Sequence, residues 1–150
     1  MPATGICYTD TATWQHRLGS DHGDALANLV AGLTDHASAH RLGVSERTVQ
    51  RRIRELMDWS GSGNRMQLGH HAALANLPAP HPLRTEPPRV HTPDAATLYL
   101  LRLLLADVAA DRTLNMSASS VERRVRELMK LAGARSRAQL GWRATRWGWL

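Results

Sequence analysis

One cysteine, Cys7, is the whole thiol inventory, so no intramolecular disulfide can form and a reducing cytoplasm suits the chain. Residues 1–10 have neither the basic start nor the apolar run of a secretory signal. The most apolar window, residues 98–108, is interrupted by Arg102 and Asp107 and is too short to span a bilayer. Lysine is nearly absent: Lys130 stands alone among 19 basic residues, and the rest are arginine. No set of nucleophile, base and orienting group occurs, and there is no glycine-rich phosphate loop, so enzyme chemistry has no support. These absences lead us to expect a soluble cytoplasmic protein that is not an enzyme, needs no cofactor and avoids membranes.

What the chain has in excess is positive charge and self-similarity. Its 150 residues carry a formal charge of +6 and a pI near 10.9, which favours a polyanionic partner. Arginine presents a planar fork that matches phosphate and guanine edges at two points. An Arg- and Ala-rich composition also fits a GC-rich genome, so position has to decide. Residues 49–72 read VQRRIRELMDWSGSGNRMQLGHHA, and 72 positions later residues 121–144 read VERRVRELMKLAGARSRAQLGWRA. Thirteen of the 24 positions are identical, and Ile53/Val125 is a conservative exchange. Such a repeat fixes the architecture before anything else is read. We expect an all-α fold: a mobile arm over 1–16 with Trp14 as its candidate anchor, a four-helix module over 17–77, a linker over 78–88 and a second four-helix module over 89–150.

In the first module Ser20 or Asp21 is placed to cap a helix with Leu26, Leu29, Val30 and Leu33 on one side. Thr34 and Asp35 begin a short helix that stops at Gly43. Ser45 is a good N-cap for a longer helix, in which Val49, Ile53 and Leu56 recur at i, i+4 and i+7 and mark the buried stripe. Gly61 and Gly63 end it, and residues 64–77 form a fourth helix. Five prolines (78, 80, 82, 87 and 88) make 78–88 an extended linker, whose eleven residues at about 3.1 Å each reach roughly 34 Å, one DNA turn between successive half-sites. In the second module Thr92 caps and Pro93 takes the first helical position. Leu98, Leu101, Leu104 and Leu105 form the apolar face, and Asn115 and Ser117 stand in for Gly43 and Ser45. Val121, Val125 and Leu128 repeat the stripe, and Gly133 ends that helix.

With the stripe turned inward, the opposite face of the first long helix carries Arg47, Gln50, Arg51, Arg54 and Asp58 on one strip. A helix fits the DNA major groove, where Arg pairs with guanine and Gln with adenine. The short helix and glycine turn ahead of it make a helix-turn-helix. A merely solvated face would account for most isolated charged helices; the capped turn, the duplication and the charge balance favour DNA. The segment RLGVSERTVQRRIRELM at 41–57, preceded by AGLTDHASA and followed by GSGNRMQL, resembles the LuxR/GerE-type helix-turn-helix of bacterial transcription regulators over residues 18–77. The ending GARSRAQLGWRATRWGWL resembles the C-terminus of actinobacterial members. The resemblance implies base contacts for Gln50, Arg51 and Arg54, and phosphate contacts for Ser45, Arg47, Thr48, Arg52 and Arg65. In the second module it assigns Glu122, Arg123 and Arg126 to bases, and Ser120, Arg124, Ser136 and Arg137 to the backbone.

The second copy departs from the pattern. Asp111 stands where the family and Ala39 have a small residue, and Glu122 replaces Gln50. Glutamate repels phosphate, although it can accept from cytosine. Ser38 is more polar than the family's usual residue, which predicts looser packing there. Two readings stay open: two modules reading two half-sites, or one module on DNA and the second on a protein such as RNA polymerase, a partner regulator or a second copy in a homodimer. A sequence-independent nucleoid protein is a third. The family attaches its module to a sensor or receiver domain, and the short arm here leads us to expect none. His36 with His40, and His70 with His71, invite a metal, but zinc wants four ligands or three plus water and nothing completes a set. We expect these to be surface histidines near DNA. Trp142, Trp147 and Trp149 are expected to be core and cover for the last helix, with any exposed subset serving dimerisation.

Overall fold

The computed structural model describes residues 14, 16–77, 92–106 and 109–150, and these contain helices and no strand. The expected arm and linker therefore lie largely or wholly outside the described residues. The first half comprises α1 (Ser20–Val30), α2 (Asp35–Leu42), α3 (Glu46–Ser60) and α4 (Arg65–Leu74). The second comprises α5 (Ala95–Leu105), α6 (Ala110–Thr113), α7 (Ala118–Leu131) and α8 (Arg137–Arg146). None of these helices is long and apolar enough to cross a membrane.

Side-chain caps start most of them, each oxygen taking up an N–H that the first turn leaves unpaired. Thr34, Ser45 and Asn64 accept from the backbone N–H three residues on in the first half. Asp94, Ser117 and Ser136 do so in the second. Two expected starts move. Gly19, without a side-chain cap, precedes α1 instead of Ser20 or Asp21. Asp94 rather than Thr92 caps α5, because its carboxylate reaches the Thr97 N–H at 2.8 Å, and Pro93 then sits before the cap. α4 stops at Leu74, short of Leu77, where Asn76 turns left-handed (φ 54°) and the Leu77 N–H closes on the Ala72 carbonyl. Gly43 and Asn115 make the same left-handed turn, at φ 66° and 52°.

The halves differ most at their second helix, eight residues in α2 and four in α6. Ala39 is buried in α2, whereas Asp111, its counterpart, carries a charge and stays partly exposed. Ser38 does not loosen the first half: buried Asn28 donates to its hydroxyl at 3.1 Å, so the polar group is satisfied.

Each half has its own core. Trp14, Leu26, Val49, Ile53, Leu56 and Leu68 are central to the first, and Leu100, Leu101, Val121, Val125, Leu128 and Leu140 to the second. The apolar stripes fall where the i, i+4, i+7 spacing placed them. The two cores exchange one residue: Met66 of α4 is buried in the second, and Ala138 of α8 in the first. α4 and α8 make the most extensive helix–helix contact among the described residues. Glycines allow it, since a Cβ on Gly69 would run into the Ala138 carbonyl, and one on Gly141 into that of Met66. The halves are thus packed together, and helix contact, not linker length, sets their separation.

Candidate nucleic-acid interface

Burial of Val49, Ile53 and Leu56 fixes the rotation of α3 and leaves Arg47, Gln50, Arg51, Arg54 and Asp58 exposed. Arg47, Arg51 and Arg54 have no ion pair among the described residues. At the start of the helix Ser45 Oγ accepts the Thr48 N–H and lies 2.9 Å from the Thr48 hydroxyl, so this pair is a cap whose edge faces solvent.

The other two arginines assigned to phosphates in this half are held by acids. Arg52 follows Arg51 by about 100° of helix rotation and turns toward α1, its side chain 13% exposed and 3.6 Å from Asp21. Arg65, at the start of α4, gives both terminal nitrogens to the Asp35 carboxylate at 2.7 Å. That two-point contact holds the Asp35 carboxyl below its ordinary value, with Gln50 adding a hydrogen bond, and raises Arg65. The clamp ties α2 to α4 across the foot of α3.

In the second half Val121, Val125 and Leu128 bury the matching stripe, leaving Glu122, Arg123 and Arg126 outward. Arg123 and Arg126 have no ion pair among the described residues. Glu122 accepts from Arg137, the counterpart of Arg65. This hydrogen bond, with the charges of Arg137 and Arg126, keeps the Glu122 carboxyl below its ordinary range. Arg124 is half-buried near Asp94, whose carboxyl is lowered chiefly by the Thr97 hydrogen bonds and also by Arg124. Ser120 bonds to Ser117, and Ser136 is occupied as the cap of α8. The expected contact arginines thus divide into five without an ion pair among the described residues and four beside acids, while the serines and Thr48 belong to the helix caps.

Neither clamp was legible in the spacing, because the partners lie 30 and 15 positions apart. Gly69 and Gly141 did leave a signal: a glycine kept at the same mid-helix position in both copies marks a close backbone approach. At the contact between halves, a cleft of about 370 Å³ is lined by Thr34, Arg65, Arg135, Ser136 and Arg137.

The histidines on α4 are not surface groups as expected. His70 Nδ1 lies 2.7 Å from Thr145 Oγ1 on α8, and His71 Nδ1 lies 2.7 Å from Ser62 Oγ. Both are half-buried, and burial lowers both pKa values, with the charge of His71 adding to the effect on His70. His36 remains outside, 3.1 Å from Glu46. Among the described residues no group of three or more His, Cys, Asp or Glu is disposed to hold a metal. Trp149 is buried with Trp147 edge-on at 5.2 Å, and Trp142 Nε1 donates to the Leu77 carbonyl at 2.9 Å, so these rings cover α8 and join the halves.

Among the described residues the geometry is helical throughout its regular structure, with two exposed arginine-bearing helix faces at equivalent positions of a repeat. Compared with known proteins, the chain matches no protein-family model, no curated protein and no solved structure.

Proposed function

We propose that the protein binds double-stranded DNA in a sequence-specific manner, as a bacterial transcription regulator built from two LuxR/GerE-like helix-turn-helix modules. The observation that carries this reading is the set of exposed arginines with no ion pair among the described residues on the outer faces of α3 and α7, namely Arg47, Arg51 and Arg54 with Arg123 and Arg126. A surface that existed only for solubility would be served as well by mixed charges; here Asp21 and Asp35 lie with the flanking Arg52 and Arg65, and on each strip bases outnumber the single acid.

On this reading Arg51 and Arg54 meet guanine edges, and the exposed Gln50 meets adenine. Arg47, with the Ser45–Thr48 cap beside it, holds the phosphate backbone. Arg52, Arg65, Arg124 and Arg137 orient their helices first, since the charge of each is offset by a carboxylate nearby. Association with the nucleoid follows from the same chemistry.

One observation favours a second reading, in which only the first half reads DNA and the second binds protein. Glu122 on the outer face of α7 is committed to Arg137, where the first half has an uncharged Gln50, so one position of that face is taken up within the protein. The experiment is equilibrium binding of the purified chain to a site selected from random duplexes and to unselected duplex. Arg51→Ala and Arg54→Ala should each lose roughly 1–3 kcal/mol on the selected site and less on unselected DNA. Equal losses on every sequence would remove the base-contact assignment, and absence of duplex binding would remove the reading.

A further inference from the structure

The contact between α4 and α8 has a symmetry that the covalent order of the chain does not require. Gly69 meets Ala138; adding or subtracting the 72-residue offset turns this pair into Gly141 and Met66, which also meet. The exchange of core residues obeys the same rule, with Met66 buried in the second core and Ala138 in the first. So do the flanking contacts: α8 touches α1 as α4 touches α5. Leu68 and Leu140, and Ala72 and Ala144, are equivalent pairs and are all fully buried. Reciprocal contact of one patch with its own copy is the signature of a two-fold axis. The two halves of this single chain are therefore paired as the protomers of an isologous dimer are, not stacked head to tail.

A two-fold between the halves relates α3 to α7 by a half-turn, and this constrains any duplex that both helices touch. Two-fold symmetry in a protein is mirrored by inverted half-sites in its DNA, whereas a head-to-tail arrangement would read direct repeats. The halves are also unlike at the reading face: Gln50 faces Glu122, Arg47 faces Ser119 and Asp58 faces Lys130 across the repeat. Resting on the DNA-binding reading above, we propose that one chain reads an inverted pair of unlike half-sites, a site with palindromic geometry but without palindromic sequence. The α4 and α8 surfaces that make this two-fold contact already cover each other within the chain, so the complex holds one chain per site. The fixed contact, rather than the linker, sets the spacing between half-sites.

The test is selection of bound duplexes from a random pool with the full chain, followed by binding of designed variants of the selected site and measurement of stoichiometry by light scattering. Selection with Arg54→Ala and with Arg126→Ala identifies which submotif each half contacts, because each substitution blurs only one of them. The expected result is two different submotifs in inverted order at one preferred spacing, bound by one chain. Reversing one submotif to direct order should weaken binding at least about fivefold, the lower end for a single mismatched base pair. Submotifs in direct order, a single submotif, indifference to spacing, or two chains per site would each overturn the inference while leaving DNA reading intact. No enrichment together with no duplex binding would overturn both.

Discussion

The two halves share 24 residues of nearly common sequence and a common stripe, yet each arranges its charges differently. In the first, the arginine that opens the fourth helix is clamped by Asp35 from α2, which leaves the outer face of α3 free of strong ion pairing. In the second, the equivalent Arg137 is taken by Glu122, which belongs to the outer face of α7 itself. Among the described residues, the arginine at the base of the long helix meets an acid of the second helix in one half and an acid of the outer face in the other. Substitutions on the outer face thus change the surface without touching the core: Val49, Ile53 and Leu56 and their counterparts Val121, Val125 and Leu128 are buried alike. What the halves share is packing, and what separates them is where a carboxylate sits.

The largest expected effect comes from breaking what they share. Gly69→Ala and Gly141→Ala each add a methyl that meets backbone rather than a flexible side chain, so α4 and α8 must separate. Each should cost about 1–3 kcal/mol or more in denaturant unfolding. Gly23→Ala in α1, with nothing within 4 Å, is the control and should gain about 0.5–1 kcal/mol from helix propensity. If the α4 and α8 variants are as stable as the control, the contact between halves is not what holds them together.

A second comparison sharpens the difference in charge. Glu122→Gln should release Arg137 and give α7 the residue that α3 has at the equivalent position, whereas Asp35→Asn releases Arg65 and disturbs the α2–α4 tie. On the proposed reading, Glu122→Gln raises affinity for duplex DNA and steepens the dependence of log K on log salt by roughly 1. It also changes the base preferred at one position of one half-site only. Asp35→Asn should lower thermal stability more than Glu122→Gln does, because the Asp35 carboxylate is mostly enclosed and Glu122 is about half exposed. An unchanged preference profile in Glu122→Gln would favour the reading in which the second half contacts protein.

The smallest effect is one of pH. His70 and His71 have pKa values lowered by burial, so the folded chain resists protonation that the unfolded chain accepts. A lowered histidine contributes stability that is present above about pH 6.5 and is lost as pH falls through the unfolded value toward the folded one. Thermal unfolding should therefore shift to lower temperature between pH 7.5 and 5.5, a window above the titration of Asp35 and Glu122. Replacing both histidines with glutamine should flatten that shift, and an unaltered slope would place its origin elsewhere.

Much of this was legible in the sequence, for reasons that differ by element. The long helices announced themselves through period and caps: Ser45 and Ser117 are where the first turn needs an oxygen, and the stripes follow from 3.6 residues per turn. α6 was not legible as a four-residue helix, because its sequence is read against α2 and the replacement of Ala39 by Asp111 says only that burial is harder. Glycine was read correctly where it stops helices, at Gly43 and Gly61, and Gly69 was passed over because mid-helix glycine has no local role. Its reason is a backbone in the other half, 69 positions away. The exposed arginines fell where the wheel put them, but Arg65 and Arg137 could be told from them only by knowing which acid is near in space.

The most direct test of the account is the salt dependence of binding to a duplex of mixed sequence. On a duplex without the preferred bases the five arginines of the two outer helix faces rest on phosphates instead of base edges, and five such contacts predict a log–log slope of about −4.5. Reversing the charge of one face alone, with Arg123→Glu and Arg126→Glu, should remove roughly two of those contacts and leave the first face bound. A slope near zero, or no binding at low salt, would contradict the claim that these two faces exist to hold DNA.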